Sequence, residues 1–159
     1  MIHKSQPNKK KIQEALRVRV EIEKGAFFIA FTKKEGVKKL MHSVKNQNHK
    51  NLAIYMAEEL AEKLGDDFFK GIDLIIPVPL YPKKLKIRGF NQSHLIAKGI
   101  QNIRKTNIDC HSLQRIVFTE SQTKKNRLEL WKNESTTFEL VNKKNLYKKC
   151  LLIIDDVFT

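Results

Sequence analysis

Apolar residues fall into short runs and helical stripes that alternate along the chain. The ranges with strand composition are 25–31, 73–78, 112–118 and 150–154. The second and the last are almost continuously apolar, as strands are when both faces of a parallel sheet are covered. Strands that alternate with helices predict an α/β fold with a mainly parallel sheet flanked by helices.

Three stretches show the spacing of an amphipathic helix, with apolar residues three and four positions apart. They run through Val37–Val44, Leu52–Leu64 and Leu95–Ile103. Polar residues 46–51 separate the first two, and either Asn91 or Ser93 is a candidate N-cap for the third. These stripes are typical of core-facing helices.

Length and charge restrict the function further. A chain of 159 residues suits one domain, and its 31 basic and 17 acidic residues give a net charge of +14. Such a charge favours phosphate-rich partners, although biased codon usage would also explain an excess of lysine. Cys110 and Cys150 form no CxxC pair, so we predict reduced packing residues and neither a zinc site nor a disulfide.

The amino-terminal residues 1–16 form a predicted basic, disordered arm, and 17–159 form the predicted domain, with 72–159 as its core. The lysines at the start of the arm are not followed by the apolar core of a signal peptide. No apolar run is long enough to span a bilayer. We therefore expect no membrane insertion and a cytoplasmic location.

Asp155 and Asp156 directly follow the last apolar strand. Parallel sheets bind ligands at the carboxyl ends of their strands, and two carboxylates there suit sugar hydroxyls or Mg²⁺. The alternative is a solvated strand end whose acids only begin a turn. A receiver-type acidic pocket is disfavoured, because the rest of that domain would have to follow this strand.

A proline-rich loop follows the strand 73–78. Pro77 and Pro79 stiffen its start, and Lys84 and Arg88 lie shortly after it. Rigid backbone amides beside cations are suited to a pyrophosphate, because little reorganisation is needed when the anion binds. An ordinary proline turn with an exposed basic edge is the alternative.

The polar segment 119–133 is predicted to be a lid over the site. Its cations Lys124, Lys125 and Arg127 could close on a leaving anion. A flexible surface loop would explain this segment equally well.

Three motifs, in order, resemble the ComF/GntX family of type I phosphoribosyltransferase-like proteins, which is associated with DNA uptake in natural competence. They are IIPVPLYPKKLKIRGFNQSHLIA, TESQTKKNRLELWKN and LLIIDDVFT, in the ranges 75–97, 119–133 and 151–159. Weaker similarity extends back through 31–45. The resemblance implies a type I phosphoribosyltransferase fold that binds phosphoribosyl pyrophosphate with Mg²⁺.

The resemblance also implies a role for each motif. Asp155 and Asp156 resemble the acidic pair that holds the ribose hydroxyls. Mg²⁺ is expected to arrive with the substrate, and direct binding of Mg²⁺ by Asp155 and Asp156 is the alternative. Thr159 resembles the first residue of the 5′-phosphate loop. The expected pyrophosphate loop consists of Pro77, Val78, Pro79 and Leu80. The departing pyrophosphate would be neutralised by Lys84, Arg88 and the three lid cations, which would thereby stabilise the transition state.

The sequence departs from the family at three points, one of which is Asn46, where the family usually has a tyrosine. The family continues past the acidic strand with a phosphate loop and a helix, whereas this sequence ends at Thr159. It also lacks the family's cysteine-rich zinc module, so no zinc is expected. The sequence therefore predicts a fragment, truncated at the phosphate loop and inactive or nearly so.

Two functions follow as hypotheses. The first is a phosphoribosyltransferase domain that binds phosphoribosyl pyrophosphate. The second is a non-catalytic competence factor of the same fold that binds single-stranded DNA, with proteins of the competence machinery as further partners.

Overall fold

The computed structural model describes residues 23–26, 50–117 and 137–156. The chain divides into two units, Met1–His42 and Ser43–Thr159, and every described helix and strand lies in the second. The helices are α1 (Lys50–Phe69), α2 (Pro82–Arg88), α3 (Gln92–Arg104) and α4 (Lys143–Leu146). The strands are β1 (Leu74–Pro77), β2 (Asn107–Ile108), β3 (Leu113–Arg115), β4 (Phe138–Leu140) and β5 (Leu151–Ile154).

A three-stranded parallel sheet forms the centre of this unit. Its strand order is β2-β1-β5, and Leu74 pairs with both Asn107 and Leu151. All four residues of β1 are buried, as expected for a central strand covered on both faces. The α/β fold with a parallel sheet is therefore confirmed for the described residues.

Helices α1 and α3 pack against each other through small residues. Ala53, Ala57 and Ala61 of α1 are all buried, at the four-residue spacing of one helix face. A Cβ on Gly99 of α3 would collide with the backbone carbonyl of Ile54 and the side chain of Ala57. Glycine is required at position 99 because the two helix backbones approach so closely there.

The core joins this helix pair to the sheet. Ala57 and Ala61 contribute from α1, Ala97 and Ile100 from α3, and Ile75 and Ile154 from the sheet, with Phe69 at the end of α1. The stripe predicted over 95–103 is thus confirmed as a core face. The stripe predicted over 52–64 is wrong in detail, because the buried face of α1 consists of alanines and Tyr55 of the predicted stripe is exposed. Helix α1 extends to Phe69, with a non-helical Gly65 at its kink.

Strands β3 and β4 form a separate antiparallel pair. The strand predicted over 112–118 is therefore shorter than expected and does not extend the parallel sheet. Its register pairs Leu113 with Leu140 and Arg115 with Phe138.

Several predictions fall outside the described residues. They are the arm 1–16, the helical stripe 37–44, the lid 119–133 and all but the first two residues of the strand 25–31. Within the described segments, no helix combines the length and the apolar character that a membrane crossing requires.

Candidate functional site

Strands β1 and β5 end side by side, and their ends bring two of the predicted motifs together. Pro77 pairs with Ile154, the last residue of β5. One residue further, the Val78 amide donates to the Ile154 carbonyl at 2.8 Å. The proline-rich loop and the acidic pair therefore leave the sheet from adjacent strands at the same edge.

Asn91 fixes the proline-rich loop to the start of α3. Its Nδ2 donates to the Val78 carbonyl at 2.9 Å, while its Oδ1 accepts from the Ser93 amide at 3.0 Å. The second bond is an N-cap, which satisfies one of the free amides of the first helical turn. One side chain thus holds both the loop and the helix, and Asn91, one of the two proposed caps, is the cap observed.

Ser93 connects the same helix to the acidic pair. Its hydroxyl donates to Asp155 Oδ1 at 3.4 Å, and the Asp156 amide donates to the same oxygen at 2.8 Å. Partial burial of the carboxyl, followed by repulsion from Asp156, raises the pKa of Asp155 to about 6, although much of the residue remains exposed. A carboxylate with this pKa is largely ionised at neutral pH and titrates just below it.

The predicted basic residues after the loop belong to a short helix that the sequence analysis did not predict. Pro82 begins α2 and Gly89 ends it, with a positive φ of 78°. The Pro82 and Gly89 positions are the usual start and stop signals of a helix and could have revealed it. Lys84 is half-buried on α2, and Arg88 is its last residue.

Arg88 is held against the start of α3. Its Nη1 donates to Gln92 Oε1 at 2.8 Å, and Gln92 is only 1% exposed. Gln92 Nε2 is buried and makes no hydrogen bond. The contact places the Arg88 guanidinium beside the first turn of the helix that also contacts Asp155.

The turn after β2, the remaining strand of the parallel sheet, carries a hydrogen-bond network that was not predicted from the sequence. Buried Asp109 accepts hydrogen bonds from the His111 amide, the Ser112 amide and hydroxyl, and Asn145 Nδ2. Burial acts to raise the pKa of this carboxyl, but the hydrogen bonds prevail and lower it to about 2. The sequence signal was a D-x-x-S turn motif, which is too common to stand out.

Next to Asp109, the Cys110 sulfur lies 3.1 Å from Nδ1 of His94. Both cysteines of the chain are free, as predicted, but both are exposed, so the expected packing role is wrong. Burial and then the Lys98 charge lower the pKa of His94, while burial and then Asp109 raise the pKa of Cys110. The neutral thiol and the neutral imidazole are therefore the favoured forms.

Four of the predicted residues lie outside the described segments: Lys124, Lys125, Arg127 and Thr159. The structure brings Pro77–Leu80 and the acidic pair together at one edge of the sheet, with Arg88 linked to them through α3. Lys84 lies on α2, and no contact described above joins it to this group. In residues 23–26, 50–117 and 137–156, no three His, Cys, Asp or Glu side chains cluster as metal ligands do.

Comparison of the chain with protein-family models, with curated proteins and with solved structures found no match. The geometry of this edge of the sheet is therefore the basis for assigning a function.

Proposed function

We propose that the edge formed by the ends of β1 and β5 binds phosphoribosyl pyrophosphate with Mg²⁺, in a domain of the type I phosphoribosyltransferase kind. The observation that carries this proposal is the hydrogen bond from the Val78 amide to the Ile154 carbonyl. This bond places the loop, which is suited to a diphosphate, next to the carboxylates, which are suited to a pentose. A ligand that carries both groups on adjacent carbons of one ring could contact both at once.

The carboxylates have the chemistry that the sugar end requires. Ribose hydroxyls donate to carboxylate oxygens, and a magnesium ion that arrives with the substrate prefers oxygen ligands. Asp155 is largely ionised above its pKa of about 6, so it is an acceptor at neutral pH. Asp156 adjoins it and supplies a second carboxylate.

The diphosphate end would meet the loop and the basic helix. The proline-limited loop is tied by Asn91 and needs little reorganisation on binding. Arg88, held by Gln92, supplies a fixed guanidinium, which suits phosphate oxygens better than a mobile ammonium does. In a transfer reaction, these groups would stabilise the charge of the departing pyrophosphate.

Isothermal titration calorimetry with the magnesium complex of phosphoribosyl pyrophosphate tests this proposal. The matched variants are Asp155→Asn with Asp156→Asn at the site, and Glu139→Gln on β4, which changes an exposed carboxylate away from this sheet. We expect binding to the parent chain and to the β4 variant and its loss in the double variant. Equal heats from all three chains would contradict the assignment.

The second candidate function is binding of single-stranded nucleic acid, and α4 and the residues after it favour it. The exposed lysines there are Lys143, Lys144, Lys148 and Lys149. Tyr147 among them is 72% exposed, with the Lys148 ammonium 5.4 Å from its ring centroid. Aromatic rings beside cations are the elements on which proteins stack unpaired bases. The net charge of +14 adds long-range attraction.

Fluorescence anisotropy with labelled single-stranded DNA tests the second function. Affinity should fall steeply with salt, because each phosphate contact releases counterions. Tyr147→Ala should weaken binding by about 1–3 kcal/mol if bases stack on this ring. The exposed Tyr55 of α1 offers the control, because Tyr55→Ala removes a similar ring from a helix without this lysine cluster.

A further inference from the structure

The amino end of α3 connects the ends of two strands through two adjacent residues. Ser93 contacts Asp155 after β5, and His94 contacts Cys110 after β2. Since the three strands are parallel, both contacts lie at the carboxyl edge of the sheet. Cys110 and the candidate ligand site therefore contact the same first turn of α3.

Cys110 is held in a defined position although it is exposed. The Asp109 amide continues the sheet by donating to the Ile75 carbonyl at 2.9 Å. Its carboxylate then organises the turn that follows by accepting bonds from the His111 and Ser112 amides. The sulfur thus faces the His94 imidazole from a fixed turn and is also accessible to a reagent from solution.

We propose that Cys110 and His94 form a thiol–imidazole pair at which a low-molecular-weight disulfide adds to the sulfur, and that this addition weakens binding at Asp155. The second half of this inference rests on the proposed function. The charged groups that adjoin the pair are Lys98, on the next turn of α3, and Asp109, on the turn after β2.

The reaction is a thiol–disulfide exchange. The Cys110 proton passes to His94 Nδ1 while the sulfur attacks one sulfur of the disulfide. A new S–S bond joins Cys110 to that sulfur, the original S–S bond breaks, and the departing thiolate takes the proton from the imidazolium. One thiol and one disulfide are consumed, and one thiol and one disulfide are formed.

Because both groups of the pair are neutral, we expect the reaction rate to depend on pH in a distinctive way. A thiol that reacts only through its thiolate speeds up about tenfold per pH unit below its pKa. With a neutral imidazole as base, the reaction should instead depend weakly on pH once the imidazole is deprotonated. Because burial, and then the charge of Lys98, lower the pKa of His94, this regime begins below neutrality.

The test measures the rate of reaction with dithiodipyridine between about pH 6 and pH 8, in a Cys150→Ser background where Cys110 is the remaining cysteine. We expect His94→Gln to react about tenfold more slowly at neutral pH and to regain the steep dependence of a free thiol. His111→Gln, an exposed histidine on the same turn, is the matched control and should behave as the parent does. Equal rates and slopes in the two histidine variants would overturn the pair.

A second variant keeps the test decisive if His94→Gln fails to fold. Lys98 is exposed, and Lys98→Gln removes a charge that lowers the pKa of His94. The onset of the weak pH dependence should then move to higher pH. A profile that does not move would also overturn the proposal.

The effect on the ligand site is measured separately by titrating the magnesium complex of phosphoribosyl pyrophosphate before and after thiolation. We expect affinity to fall several-fold in the Cys150→Ser chain and to stay unchanged in Cys110→Ser, which the reagent cannot modify at this position. Unchanged affinity after modification would refute the coupling. If the untreated chain does not bind at all, the proposed function fails while the thiol chemistry still stands on its rates.

Discussion

Replacement of Asp155 by asparagine should stabilise the fold while removing a ligand contact. The pKa of this carboxyl is raised to about 6 in the folded protein, from 3.8 when unperturbed. The folded state therefore holds the proton more tightly than the unfolded state between about pH 4 and pH 6. The free energy of unfolding falls as pH rises through that window, and the penalty is fully present above it. Asparagine carries no charge and avoids the penalty.

The magnitude follows from the pKa change. A difference of about two units is worth about 3 kcal/mol for a fully shielded group. Asp155 is exposed over much of its surface, so solvent screening reduces the expected gain at pH 7 to about 1 kcal/mol. The gain should shrink to about half at pH 5 and nearly vanish by about pH 4, where the folded carboxyl is already protonated.

Urea unfolding of Asp155→Asn and of the parent chain at pH 7, 5 and 4 measures this difference directly, because contributions from other groups cancel. Glu139→Gln is the matched control and should change the unfolding free energy by less than about 0.5 kcal/mol. A loss of stability at pH 7, or a gain that does not depend on pH, would refute the reasoning. The same titration predicts that ligand affinity in the parent falls as pH drops through about 6.

Three further substitutions test the supports of the site, and urea unfolding measures each. Asn91→Ala should cost about 1–2 kcal/mol, because it removes the N-cap and the bond to Val78; a cost near zero would contradict the geometry. Asp109→Asn should cost about 2 kcal/mol at pH 7, with the cost declining as pH falls from about 4 to about 2, because the lowered pKa of the native carboxylate stabilises the fold only above that range. Gly99→Ala should cost about 1–3 kcal/mol despite alanine's better helix propensity, since its Cβ would collide with Ala57; a stabilised variant would show that the helices do not pack as described.

The parts of the fold that the sequence predicted are those with a strong apolar pattern. Strand 74–77 is buried throughout, strand 151–154 is an unbroken apolar run and α3 has a clear stripe, so hydrophobicity alone locates them. The expectation that 151–154 is covered on both faces is wrong, because β5 lies at the side of the described sheet and Ile153 is exposed. Helix α2 was missed because its residues between Pro82 and Arg88 are mostly basic and none is buried. Strand β2 has only two residues, which is too short for any periodicity to be visible.

Local sequence gave the two halves of the candidate site but could not place them together. The proline-rich loop and the acidic pair are recognisable because each follows an apolar run. Their proximity depends on the pairing of β1 with β5, which are far apart along the chain. The connection between Cys110 and His94 was hidden for the same reason, since it arises only when β2 joins the sheet beside α3.

The central claim is that a pentose and its diphosphate bind at the edge where β1 and β5 end. Its most direct test is to follow backbone amide chemical shifts in ¹H–¹⁵N NMR spectra while the magnesium complex of phosphoribosyl pyrophosphate is added, which also detects weak binding. The account predicts that the amides of Val78, Ser93, Asp155 and Asp156 shift together in a saturable way. Saturable shifts confined to other regions, or none at millimolar ligand, would contradict it.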